Sequence, residues 1–195
     1  MLPFLHDRLQ RQQALLTQSG TVLDKFHRQD LDLAEATDAL LADTLSTWHA
    51  LGLALPENEA RAWRAELSAA RQGVDPATGQ RISQHRRELQ RGTALRVLLG
   101  HAERLRADIA RDQAALDDGR RSLQPMVLVA IQQGLWPPEP PAVVNQAALE
   151  ALWRAMLGNA TLGTAGRQLA MTLGAADVLL LLEDLTASAF GIIQP

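Results

Sequence analysis

From Leu95 to Leu123, apolar side chains recur at alternating steps of three and four residues: Leu95, Leu98, Ala102, Leu105, Ile109, Leu116 and Leu123. Only Asp112 and Gly119 interrupt that spacing. The period matches the turn of an α-helix and lays one apolar stripe along a polar cylinder. Nothing in the chain competes with this signal. Tyr is absent, Val, Ile and Thr are sparse, and no segment alternates apolar and polar residues long enough to make a strand. Ala, Leu, Arg, Gln and Glu, all good helix formers, fill the sequence instead. The expected fold is all-α: an elongated helical bundle with long amphipathic, coiled-coil-like helices and a smaller C-terminal helical cluster.

A chain of 195 residues that is 47% hydrophobic can bury a core of its own; at this size folding hides roughly 70% of the unfolded surface. Cysteine is absent, which excludes disulfides, thiolate metal sites and a cysteine nucleophile.

Punctuation divides the helical signal. The region 4–51 carries a weaker seam through Leu16, Ser19, Leu23, Phe26, Leu33, Thr37, Leu40 and Thr44, and Ser19-Gly20 is the expected break between two helices. Pro56 with Glu57 and Glu59 reads as the first turn of a helix that carries Trp63 and Leu67 and stops at Gly73. Asp75-Pro76-Ala77-Thr78-Gly79 is a turn. A long helix is expected from Gln80 to Leu123, ended by Pro125, with a short apolar helix over 126–135 behind it. Trp136-Pro137-Pro138-Glu139-Pro140-Pro141 is an extended connector, because proline can continue neither helix nor central strand. Asn145 starts a helix presenting Leu149, Leu152, Trp153 and Met156, and two close-packed helices with Gly163, Gly166 and Gly174 follow. The expected organisation is an elongated helical region over 1–124, a short helix and connector over 125–141 and an apolar helical subdomain over 142–195.

Charge is segregated. Residues 1–60 carry a net −5 and residues 81–124 a net +4, the latter from ten Arg. Arg86, Arg87, Arg91 and Arg104 are expected to pair with acids of the first region or of a partner. The arginines between 81 and 111 scatter around the helix instead of forming a stripe, and no aromatic residue interleaves them for base stacking.

Chemistry is hard to find. His6, His27, His49, His85 and His101 include no pair at the spacing of a helical metal site. His85 and His101 read as solvated surface residues. The cluster Gly158, Gly163, Gly166, Arg167 lacks the lysine of a phosphate loop and reads as helix caps and close packing. No catalytic, cofactor-binding or metal-binding residue is expected. Charges interrupt the N-terminal apolar residues at once, and the apolar run 178–193 is short and carries Glu183 and Asp184, so no leader, no transmembrane segment and a cytoplasmic location are expected.

These features point to a non-enzymatic adaptor, chaperone or scaffold that binds another protein, or a second copy of itself, through amphipathic helix faces. Leu95, Leu98, Leu105, Ile109, Leu116 and the proline-flanked Trp136 are the expected interaction residues. The alternatives are a nucleic-acid-binding regulator using the Arg-rich helix 81–111, a weaker reading, and a small-ligand-binding protein with its pocket in the C-terminal half. A protein coating lipid or polymer inclusions through amphipathic helices is a further class.

Overall fold

The computed structural model describes residues 4–135 and 146–189; Trp136, the proline-rich run and Asn145 lie outside them. The described residues form seven helices: α1 (Leu5–His27), α2 (Leu33–Ala50), α3 (Ala54–Arg71), α4 (Arg86–Gln132), α5 (Gln146–Gly158), α6 (Gly163–Leu173) and α7 (Ala175–Ala189). The fold is all-α, and the one extended pairing among the described residues is the bridge Val74–Arg81. None of the described helices is long and apolar enough to cross a membrane.

Three helix boundaries differ from the sequence reading, each for a local reason. Gly20 does not end α1, which continues to His27. It sits on the exposed side with open space around its Cα, where glycine costs only about 1 kcal/mol against alanine. Buried Ser19 and Val22 carry the inward face past it. The exit is made by Gln29, whose φ of 62° is left-handed, with Asp30 N–H bonded back to the Lys25 carbonyl at 3.0 Å.

The long helix begins at Arg86 and not at Gln80, because residues 73–82 close a small hairpin: Ile82 N–H donates to the Gly73 carbonyl at 2.8 Å. Asp75 organises its turn, accepting from Ala77 N–H and the Thr78 hydroxyl at 2.9 Å each, and Gly79 takes the left-handed φ of 71°. Those hydrogen bonds hold the Asp75 carboxyl below its usual range, the Ala77 N–H contributing most.

Pro125 does not end α4, which runs on to Gln132. Proline inside a helix costs about 3 kcal/mol. Here its ring is exposed, while Leu123, Met126, Val127 and Ala130 on either side are buried. Burial of that face outweighs the lost hydrogen bond, since a full-size apolar side chain contributes about 1.5–3 kcal/mol when buried.

Packing divides the chain into two units, Arg8–Ala110 and Met1–Asp7 with Arg111–Pro195. In the first, α2 and α3 form an antiparallel hairpin joined by Leu51-Gly52-Leu53. Arg64 and Arg71 of α3 reach back to Asp38 (2.8 and 3.3 Å), and Arg71 also to the Ala34 carbonyl (3.0 Å). The hydrogen bond from Arg64 holds the Asp38 carboxyl below its usual range. Trp48, Leu41, Leu67, Leu98 and Leu105 form the centre of this core.

In the second unit, Trp153 and Met156 of α5, Leu169 and Leu173 of α6 and Val178, Leu181 and Leu182 of α7 are buried together with Leu123 of α4. Glycines set how closely these helices approach. A Cβ on Gly163 would meet the Leu157 carbonyl oxygen at 2.5 Å, and one on Gly166 would meet Leu157 and Trp153 at 2.9 and 3.3 Å. Arg167 donates to that same Leu157 carbonyl at 3.4 Å, so the glycine cluster and its arginine serve the α5–α6 turn. On α4, Gly119 leaves the space occupied by Leu173.

Candidate functional site

The sequence treats the α4 seam as the docking face, and the structure places it inside. Leu98, Leu105, Ile109 and Leu116 are buried within the chain and Leu95 is half-buried. Asp112 and Gly119, the two interruptions, are buried as well. The seam therefore builds the fold and is not open to a partner. A three-four repeat looks the same whether the covering helix belongs to the same chain or another. Trp136 lies outside the described residues.

The arginines of α4 are largely engaged by their own unit. Arg104 donates to both carboxylate oxygens of Glu59 at 2.7 Å and to Asp108 at 2.9 Å. Arg96 pairs with Glu66 at 2.7 Å. Arg91 caps the end of α1, donating to the Phe26 carbonyl at 2.7 Å with its guanidinium 4.6 Å from the Phe26 ring centre. Arg86 closes the end of α3, donating through Nε to the Arg71 carbonyl at 3.1 Å. Arg87 is exposed on the rim of a cleft.

Two polar centres escaped the sequence reading. The first is His101, which is fully buried and not solvated. Its Nδ1 lies 3.1 Å from the Ser19 hydroxyl of α1 and its Nε2 lies 2.9 Å from the Thr44 hydroxyl of α2. Each hydroxyl also donates back to its own helix, Ser19 to the Leu15 carbonyl at 2.9 Å and Thr44 to the Leu40 carbonyl at 2.8 Å. Trp48 and Trp63 flank the ring with centroids 6.0 and 5.9 Å away, Trp63 edge-on. Burial pushes the imidazole down from 6.5 to about 4. A neutral ring is the consequence. Ser19 beside His101 is not a hydrolytic pair: both are buried, and the second ring nitrogen meets Thr44 where such a pair needs an orienting carboxylate.

A legible signal existed for this centre. Ser19 and Thr44 are polar residues on largely apolar seams, and His101 stands three after Leu98 and four before Leu105. A serine or threonine on an inward face can bond back to its own helix, but a buried imidazole must find partners on other helices or leave a nitrogen unpaired, at about 1–3 kcal/mol.

The second centre is Asp177 in the first turn of α7, only 1% exposed. It accepts from the backbone N–H of Leu5 at 2.8 Å and of His6 at 3.1 Å, and its Oδ1 lies 2.6 Å from His6 Nδ1. One carboxylate thus satisfies the first donors of α1 while sitting at the positive end of α7. Among the described residues no three His, Asp or Glu side chains gather as ligands for a metal ion.

The described surface exposes large apolar side chains at several points, Leu55 (79%), Met171 (77%) and Leu99 (48%) among them, and at three further places apolar side chains line a cleft or stand together. Leu31, at the α1–α2 turn, is 89% exposed beside a cleft of about 370 Å³ whose wall includes Leu33, Ala34, Arg87 and Arg91. A second cleft, of about 400 Å³, lies between α4 and α6 in the C-terminal unit, with Gly119, Met126, Leu169 and Leu173 at its base and Asp118 and Gln168 at its edge. Third, Leu128 (55% exposed) and Ile131 (39%) stand one turn apart near the end of α4. Ile131 lies one turn beyond buried Val127 and Leu128 lies further around the helix, so the apolar surface at this end of α4 runs past the buried stripe of Leu123, Met126, Val127 and Ala130 onto a partly open rim. Comparison with protein-family models, curated proteins and solved structures finds no match.

Proposed function

We propose that this chain is a non-enzymatic helical adaptor, chaperone or scaffold that binds another protein, and that the outward Leu128–Ile131 face of α4 is its contact. The supporting observation is that partly open apolar rim. The inner stripe already accounts for the packing of α4, and two large aliphatic side chains remain outward at the spacing read by a groove or by a partner helix. Leu128 is 55% and Ile131 39% exposed, so covering both buries about the surface of one full side chain, for about 1.5–3 kcal/mol, or roughly 10- to 100-fold in affinity. The engagement of Arg86, Arg91, Arg96 and Arg104 within the chain favours this reading over the nucleic-acid regulator, which needs those cations free.

A photoreactive residue at position 128, compared with one at exposed Arg121 on the same helix, tests the assignment in cells. A discrete adduct from position 128 that protease removes and nuclease leaves intact is the expected result. Adducts sensitive to nuclease, or none from position 128, would overturn it. The cleft between α4 and α6 carries the second reading, a small apolar ligand, since its volume falls within the range of such sites. A ligand carried through purification and displaced by Ala165→Trp, at an exposed residue of the cleft wall, would favour that reading.

A further inference from the structure

The hydrogen bonds around His101 contain a mismatch of protons. Four short contacts link the cluster: Leu15 carbonyl to Ser19, Ser19 to the ring, the ring to Thr44, and Thr44 to the Leu40 carbonyl. Each contact needs one hydrogen. With a neutral imidazole the two hydroxyls and the single ring N–H supply three. With the imidazolium, both ring nitrogens donate to the hydroxyls, both hydroxyls donate to their carbonyls, and all four contacts are filled.

Hydrogen bonding and burial therefore pull in opposite directions. The groups facing the ring are Ser19 from α1, Thr44 and Trp48 from α2 and Trp63 from α3, and none carries a charge. On α4 itself Arg104 lies one turn on and is held by Glu59 and Asp108; Glu66, one turn from Trp63 on α3, is held by Arg96. Among the described residues no carboxylate meets the ring to balance a positive charge, so one more filled hydrogen bond does not offset the desolvation of an ion.

We propose that the Ser19–His101–Thr44 chain is an acid-sensitive lock, which keeps α1, α2 and α4 of the Arg8–Ala110 unit packed while the ring is neutral and releases them when the ring takes up a proton. The sign follows from linkage. The folded ring binds its proton less readily than the unfolded one, so its contribution is complete above pH 6.5 and is lost as pH falls toward about 4. Asp38 acts elsewhere: held below 3.8 by Arg64, it keeps its contribution until the pH falls further.

Thermal melts of the full chain at pH 7 and pH 4.5, for the natural sequence and for His101→Gln, test the lock. Glutamine offers one donor and one acceptor to the two hydroxyls but does not titrate. The natural sequence should lose about 10 °C more than the variant between the two pH values, and amide exchange in α1 and α2 should accelerate in the natural sequence alone. Equal losses would overturn the proposal, because carboxylates would then govern the acid response. Should His101→Gln fail to fold, the ring signals of His101 in the natural protein decide: titration near pH 6.5 with packing intact contradicts the lock, and absence of titration until the unit opens supports it.

Discussion

Asp177 shows how much of the packing can rest on one polar side chain. Its carboxylate joins the start of α7 to the start of α1 across a sequence separation of 171 residues. Asp177→Ala would leave the N–H groups of Leu5 and His6 buried or half-buried without an acceptor, at about 2–4 kcal/mol in total. Urea denaturation should show that loss as a lower midpoint with an unchanged slope, and an unmoved midpoint would refute the role. An acid in the first turn of α7 is legible in the sequence as a dipole-compensating residue. Its second role is not, because nothing local indicates which distant helix start lies against it. His101 was nearer to being legible: the seams contain Ser19 and Thr44, and only the matching of one face to another was missing.

Helices as elements were the most readable part of the chain, and their ends the least. Leu149, Leu152, Trp153 and Met156 predict the buried face of α5 as observed, and Pro56 stands in the first turn of α3. Gly20 and Pro125 misled for the same reason. Each is a local breaker on an exposed side of a helix whose opposite face is buried, and tertiary packing overrides the local preference. Pro125→Ala should therefore stabilise the protein by about 1–3 kcal/mol by restoring a backbone donor at an exposed position. A drop in melting temperature would show that the ring has a packing role the structure does not assign to it. Gly163 makes the contrary case. Alanine is the better helix former, but its methyl group would press on the Leu157 carbonyl, a backbone atom that cannot step aside. Gly163→Ala should cost about 1–3 kcal/mol, read as a lower melting temperature, and a gain in stability would contradict the close approach of α5 and α6.

At the scale of the whole molecule, periodicity established that α4 has an apolar seam but not what covers it. The structure assigns that seam to the chain's own interior through Leu98, Leu105, Ile109 and Leu116, and leaves Leu128 and Ile131 outside. This separation predicts two classes of variant. Leu98→Asp with Leu105→Asp puts carboxylates into a closed core and should abolish folding, seen as loss of the cooperative melt; retention of that melt would mean the seam is not the core. Leu128→Ser with Ile131→Ser should lower the melting temperature by only a few degrees, because Leu128 is 55% and Ile131 39% exposed and the fold forfeits only their covered parts. The measurement that tests the account most directly is purification of the tagged Leu128→Ser/Ile131→Ser chain beside the natural one from their own host, with nuclease present. The account predicts a stoichiometric protein that accompanies the natural chain and is lost from the variant while the two melt within a few degrees of each other. The same protein retained by the variant, or no protein with either chain, would contradict it.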